Sequence, residues 1–261
     1  MSQAVRVLTL YPDELNIYAD RGNLLFLEKR CEWRGLGFES KGAGPGESFS
    51  PDDADLIYIG GGQDRDQEGV SADLLETKGE ALAAFVEAGK PLVAVCGGYQ
   101  LLGRAWSSGD GREREGLGIF DVRTVRGPGE RLIGAAAVEV DFAGERLVVA
   151  GFENHAGRTH LEKDATPFGT VIAGYGNNGE DRTEGVRRHF SIGTYLHGPL
   201  LPKNPRLADL LLAVALSPGD PRPSDLMPLD DVLEGAARQE ALDAAFRSRK
   251  SRSRRHRART G

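Results

Sequence analysis

Cysteine, long apolar runs and nucleotide-binding glycine loops are what this 261-residue sequence has least of, and each scarcity excludes something. No apolar stretch approaches the roughly 18 residues that a membrane-spanning helix needs, so no transmembrane segment is expected. The N-terminus runs from Met1 straight into a strand-like stretch at Val5, without the basic, apolar and small-residue order of a signal peptide. The expected location is therefore the cytoplasm. Two cysteines, Cys31 and Cys96, can form at most one bridge, which a reducing compartment disfavours, and cannot build a zinc site alone. No GxxxxGK[ST] loop or other ATP signature is present, and no length is left over for a second catalytic domain.

What is there suits a soluble globular chain: 39% hydrophobic and 28% charged residues. The net charge of −6 conceals an asymmetry, because residues 247–261 hold eight Arg or Lys and no acid, leaving −14 on the rest. Such a tail can bind nucleic acid or an anionic membrane surface, but a solvated, disordered terminus is the simpler reading. No nucleic-acid partner is expected apart from weak contacts of that tail.

Residues 5–10 and 55–59 read as short buried strands, with helical spacing of Leu24, Leu27 and Cys31 between them and a Gly/Pro/Ser-rich break over 41–51. The second strand ends at Gly60-Gly61-Gly62. Ser71 reads as the N-cap of a helix carrying Leu75, Leu82, Phe85 and Val86, stopped by Gly89 and Pro91, before a strand at 91–95. Strands alternating with helices predict a largely parallel sheet covered on both faces. From about Gly134 the texture turns β-rich, with strands at 135–142, 146–151, 169–173 and 189–195, then helices from Pro205 to Leu216 and over 230–247. The expected organisation is an α/β domain over 1–217, a linker and helix over 218–246, and the basic tail.

The chemistry concentrates in Leu92-Val-Ala-Val-Cys96-Gly97-Gly98-Tyr99-Gln100, a buried strand turning through a glycine pair into a helix. A cysteine after four apolar residues is often a small core residue. The strand-turn-helix context favours a nucleophile, because it lifts the side chain clear of the sheet, and the helix N-terminus favours both a thiolate and an oxyanion. Cys31 has no such context and reads as core. A nucleophile needs a base, and of the five histidines His197 ends a late strand, on the side where reactive groups of open α/β sheets gather. His155 and His160 read as part of a polar turn serving structure or a partner surface.

Taken together, Cys96-Gly97-Gly98-Tyr99-Gln100, Gly60-Gly61-Gly62 and His197 resemble the class I glutamine amidotransferases. Leu15-Asn-Ile-Tyr-Ala-Asp-Arg-Gly-Asn-Leu24, Gly151-Phe-Glu-Asn-His-Ala-Gly-Arg158 and Thr194-Tyr-Leu-His-Gly-Pro-Leu200 resemble their cobyric-acid-synthase-like branch, and within it the GatD-type subunits of lipid II isoglutaminyl synthase. The resemblance spans about residues 5–216. It implies a three-layer, flavodoxin-like α/β domain with a largely parallel central sheet and a β-rich second half. It also implies a glutaminase in which Cys96 attacks the amide of L-glutamine, His197 is base and then acid, and the N–H groups of Gly61, Gly62 and Gly97 surround the oxyanion. Arg131 matches the place of an arginine for the glutamine α-carboxylate, and Gln100 either touches substrate or caps the helix.

One departure stands out. Many class I amidotransferases carry a glutamate two residues after the histidine, where this chain has Pro199. The favoured branch shares this gap, which leaves an orienting carboxylate to come from elsewhere in the fold or from a partner chain. The resemblance implies no cofactor here; ATP and Mg are expected on a MurT-type, Mur-ligase-like partner in a heterodimer amidating the D-glutamate of lipid II. That lipid-linked substrate would draw the complex to the inner face of the membrane. Two other readings stand: an amidotransferase for cobyrinic-acid-type cofactor synthesis, which normally has a fused ATP-binding domain that this chain lacks, and a catalytically silent binding module whose basic tail recruits nucleic acid or membrane.

Overall fold

A computed structural model describes residues 3–16, 21–218 and 226–260, with side chains up to 249. The Ile17-Tyr-Ala-Asp20 part of the motif at 15–24 lies outside the described residues, as does most of the linker after 218.

The first half builds the nucleophile's platform. In chain order it comprises β1 (Ala4–Leu10), α1 (Arg21–Glu32), β2 (Gly37–Ala43), β3 (Leu56–Ile59), α2 (Asp64–Asp73), a five-residue π-helical turn at Leu74–Lys78, α3 (Gly79–Glu87), β4 (Leu92–Val95) and the short α4 (Gly97–Leu101). Three small strands follow: β5 (Ala105–Ser107), β6 (Glu113–Glu115) and β7 (Val122–Arg126). The second half adds β8 (Leu132–Phe142), β9 (Glu145–His155), β10 (Gly157–Leu161), β11 (Gly169–Ala173), β12 (Thr183–Glu184), β13 (Val186–Arg188), β14 (Ser191–Thr194) and β15 (Leu196–His197). The helices α5 (Pro205–Leu216) and α6 (Val232–Thr260) complete it.

The central sheet has the order β13-β14-β4-β3-β1-β2, parallel throughout except for the β13–β14 pair. Every residue of β3, β4 and β14 is buried, which requires cover on both faces of the sheet and explains why β3 and β4 read as unbroken apolar runs. The expected α/β class with a largely parallel sheet is the observed one. The remaining strands form two further sheets: β10-β7-β5-β6, which joins three strands of the first half to β10, and β12-β11-β8-β9-β15 from the β-rich second half. The long β8–β9 hairpin, paired from Leu132–His155 to Phe142–Glu145, dominates the second.

Several local expectations need correcting. The strand β2 lies where the sequence shows polar residues and then a Gly-rich break, because it is an edge strand: only β1 pairs with it, and four of its residues are exposed. Ser71 is not an N-cap. The helix starts at Asp64, where Asp66 accepts a hydrogen bond from the Gln63 N–H at 3.0 Å and closes a capping box. The strand expected at 146–151 continues to His155, so His155 lies on a strand and not in a turn. The run 189–195 divides, because Thr194 Oγ1 accepts from the Leu196 N–H at 3.0 Å and the chain leaves the central sheet to pair with β9. The basic segment expected to be disordered continues α6 to Thr260, a run of 29 residues without proline and rich in Ala and Arg, both strong helix formers.

The C-terminal helix is tied back to the core. Leu242 and Ala245 are buried against Ala137, Ala150 and Ala173. At its start the buried Arg30 binds Asp209 (2.6 Å) and Asp231 (2.7 Å), joining α1, α5 and the entry to α6.

Candidate active site

Cys96 occupies the corner between β4 and α4 at φ 50° and ψ −104°. A positive φ in a residue other than glycine costs on the order of 1–3 kcal/mol and persists only where surrounding contacts enforce it. Here the Cys96 N–H donates to Thr194 O at 2.9 Å and its carbonyl accepts from the Gln100 N–H at 3.0 Å. The thiol-bearing residue is 7% exposed and lines a cleft of about 610 Å³.

The two glycine clusters meet at this corner. A Cβ added to Gly97 would lie 2.8 Å from Gly62 N, 3.1 Å from Gly62 O and 3.2 Å from Gln67 Cδ. One added to Gly98 would lie 2.6 Å from Ile59 Cγ2 and 2.8 Å from Gly60 O. Glycine at these positions lets the turn after β3 and the start of α4 approach to backbone contact, with Gly97 packed against Gly62. The Gly98 N–H is already used, donating to Gly60 O at 3.2 Å.

Of the residues singled out in the sequence, Cys96, Gln100, Gly62 and Arg131 line the one cleft; Gly61, Gly97 and His197 are not among its lining residues. Gln100 does not cap the helix. Its Oε1 accepts from Gln67 Nε2 at 2.9 Å and its Nε2 donates to the Tyr195 hydroxyl at 3.0 Å. Arg131 is held by Asn154 through Oδ1 (2.7 Å) and the backbone carbonyl (2.6 Å). His197 is 2% exposed on β15, opposite Phe152 of β9. It lies three residues beyond Thr194, whose carbonyl holds Cys96. Burial, with help from the Arg131 cation, pushes the pKa of His197 down to about 4, leaving a neutral imidazole at pH 7.

His155 is what the sequence reading missed. It is 1% exposed, lines the cleft, and stacks face to face on Tyr195 with ring centroids 3.7 Å apart and planes within 7°. Its Nδ1 lies 2.8 Å from Gly157 O, an acceptor, so Nδ1 carries the proton. Burial pushes its pKa down to about 3. The available signal was period-two alternation continued through polar residues: Gly151, Glu153 and His155 point inward while Phe152 is exposed. Behind these rings the Tyr195 hydroxyl contacts Thr159 Oγ1 at 2.7 Å, and that hydroxyl contacts Thr124 Oγ1 at 2.7 Å. Glu153 accepts from the N–H groups of Tyr175 (2.8 Å) and Gly176 (2.7 Å). Burial raises the pKa of Glu184, which accepts from the Thr194 hydroxyl, to about 8.

Among the described residues no three His, Cys, Asp or Glu side chains converge to hold a metal ion. A neutral imidazole, a thiol at a strained corner and paired backbone amides are the parts of covalent acyl transfer.

Comparison with known proteins agrees with that chemistry. Residues 6–205 match the CobB/CobQ-like glutamine amidotransferase domain. The chain is 39% identical over 252 residues to the lipid II isoglutaminyl synthase (glutamine-hydrolyzing) subunit GatD of Staphylococcus aureus, covering 94% of this chain and 99% of that one. It is 34% identical over 239 residues to the subunit of the same name from Streptococcus pneumoniae, covering 92% and 91%. It is 40% identical over 124 residues to the cobyric acid synthase of Rhodobacter capsulatus, covering 45% of this chain and 24% of that protein.

Proposed function

Because this chain belongs to the CobB/CobQ-like glutamine amidotransferase family, we propose that it is the glutaminase subunit of a lipid II isoglutaminyl synthase. The observation that carries this reading is length. Similarity to the two GatD subunits extends over nearly the whole of both chains, whereas the cobyric acid synthase matches over only about a quarter of its own length. That asymmetry favours the peptidoglycan role over cobyrinic-acid-type amidation.

In the proposed reaction Cys96 loses its proton to His197 and attacks the side-chain amide carbon of L-glutamine. The oxyanion takes hydrogen bonds from the Gly97 amide and the glycine turn at Gly61 and Gly62. His197 then protonates the departing nitrogen, ammonia leaves, and water activated by the same imidazole hydrolyses the γ-glutamyl thioester to glutamate. A neutral His197 is in the correct state to start this sequence, and its burial supports the role. Arg131, fixed by Asn154, would take the α-carboxylate. Gln100 lines the cleft with both ends of its amide engaged, so any part it plays is to shape the wall.

The ammonia would pass to a MurT-type ligase subunit holding ATP and Mg, which activates the α-carboxyl of D-glutamate in lipid II and yields D-isoglutamine at the inner face of the membrane. Among the described residues no helix is long and apolar enough to cross a membrane. With Pro199 where other families place an orienting glutamate, the glutaminase rate of the free subunit is expected to be low and to rise in the complex. Equal rates with and without the ligase would overturn that expectation.

The test is glutamate release from L-glutamine by the purified chain, alone and with the ligase, for wild type, Cys96→Ala and His197→Ala. Loss of activity in both variants supports the reading; an inactive wild type in the presence of the ligase rejects it.

A further inference from the structure

The cleft holds one acceptor that the reaction proposed above does not use. His155 Nε2 is buried, belongs to a side chain lining the cleft, and has no hydrogen-bond partner among the described residues. Its tautomer is fixed by Gly157 O at 2.8 Å from Nδ1, so Nε2 presents a bare lone pair. Its plane is fixed by the stack on Tyr195, whose hydroxyl is itself held by Gln100 and Thr159. A buried acceptor so firmly oriented and left unsatisfied is the mark of a group that waits for a ligand donor.

The strand register says which donor. Leu132 of β8 pairs with His155 of β9 at the end of the ladder, and Arg131, just before Leu132, reaches with its side chain to Asn154, the residue before His155. Under the glutaminase reading Arg131 holds the α-carboxylate of glutamine. The α-ammonium is bonded to the same carbon, so its acceptor has to stand beside Arg131. The carboxamide, by contrast, must reach Cys96 and the Gly62–Gly97 contact. Asp64 also lines the cleft, but it is exposed and faces Arg126 at 3.9 Å.

We infer that His155 Nε2 accepts a hydrogen bond from the α-ammonium group of bound L-glutamine, and that His155 with Arg131 recognises the amino-acid end of the substrate. This deepens the glutaminase reading and rests on it. The lowered pKa of His155, which burial and the neighbouring Arg158 cation produce, keeps the acceptor available throughout the physiological range.

The experiment measures kcat/KM in the complete complex for L-glutamine and for 5-amino-5-oxopentanoate, which lacks only the α-amino group. Wild type should prefer glutamine by about 10- to 100-fold, the range of one hydrogen bond to a charged group. His155→Phe keeps a flat ring over Tyr195 but has no acceptor. It should lose activity on glutamine alone, bringing the ratio toward one, while His155→Gln returns an acceptor and recovers part of the preference. Equal losses on both substrates, a wild type that does not discriminate, or a ratio that collapses in Asp64→Asn instead would each overturn the inference. A wild-type complex inactive on glutamine would reject the glutaminase reading itself, which is a separate outcome. A second measurement does not depend on His155→Phe folding. In the Cys96→Ala complex with 15N-labelled histidine, the resonance of His155 Nε2 should move upfield with glutamine and stay in place with the deamino analogue; no movement with glutamine overturns the inference.

Discussion

Gly97→Ala tests the oxyanion geometry with a single methyl group. The added carbon would lie 2.8 Å from Gly62 N and 3.1 Å from Gly62 O, both backbone atoms that no rotamer change can remove. Either the turn after β3 or the first turn of α4 must yield by several tenths of an ångström, which spreads the two amides proposed to hold the oxyanion. Overpacking of this kind costs about 1–3 kcal/mol in stability, so most molecules remain folded. Losing one oxyanion donor costs about 10²–10³ in kcat, and because the contact is made in the transition state KM should change little. Gly98→Ala is the control. Its methyl would meet Ile59 Cγ2 at 2.6 Å and Gly60 O at 2.8 Å, and its amide is already bonded to Gly60 O, so stability should fall with a smaller loss of kcat. Glutamate release and thermal melts measure both quantities. A Gly97→Ala enzyme with kcat within about threefold of wild type, a change worth less than 1 kcal/mol, would refute the assignment of this amide.

Three further outcomes follow from burial. The folded protein holds His155 and His197 at pKa values of about 3 and 4, below the ordinary 6.5, so below pH 6.5 the unfolded chain binds more protons. Their contribution is absent above pH 6.5 and destabilises progressively as pH falls toward 3, by several kcal/mol in all at about 1.4 kcal/mol per unit for each. Glu184, raised to about 8 by burial, acts with the opposite sign as pH falls below 8, so urea unfolding at pH 7 and pH 5 should show the histidine loss in Glu184→Gln, where an unchanged free energy would count against neutral burial. Burial pushes the Cys31 thiol up to about 11, so iodoacetamide should modify Cys96 in the native protein and Cys31 only after unfolding, as peptide mass mapping can verify. Arg30→Leu strips Asp209 and Asp231 of a buried cation and should cost about 3–5 kcal/mol in denaturant unfolding; a cost below 1 kcal/mol would show that Arg34, which also binds Asp209, carries the network.

The parts of this fold legible in the sequence are those whose signal is local. The strands β3 and β4 are uniformly apolar because both faces are buried, and Cys96 announces itself through the glycine pair that its corner needs. Helix α5 begins at Pro205 and is unbrokenly apolar from Leu210 to Leu216, so its span reads directly. Pairing partners decide the rest. Nothing in the polar residues of β2 says that β1 lies alongside, and nothing near Thr194 says that the next residues leave one sheet for another. His155 looked like a turn residue because Glu153 and Asn154 are polar, yet Glu153 is buried against two backbone amides and Asn154 anchors Arg131.

Tyr195 explains why those non-local residues matter to the site. It sits in the break between β14, which pairs in the central sheet with β4 just before Cys96, and β15, which belongs to the sheet where β9 ends at His155 and β8 begins just after Arg131. Its ring packs edge-on to Tyr99 of α4 at 5.2 Å and face-on to His155 of β9 at 3.7 Å, while its hydroxyl bonds Gln100 and Thr159. One side chain thus fixes the nucleophile's helix and the cleft histidine in a single frame. The break in the strand that defeats a periodicity reading is also what carries His197 out of the central sheet, three residues beyond the carbonyl that holds Cys96. An unbroken strand through 191–197 would have kept His197 in the central sheet, away from its pairing with Phe152 of β9. Local regularity was given up where the two sheets had to be joined, and the residues of the cleft gather around that joint.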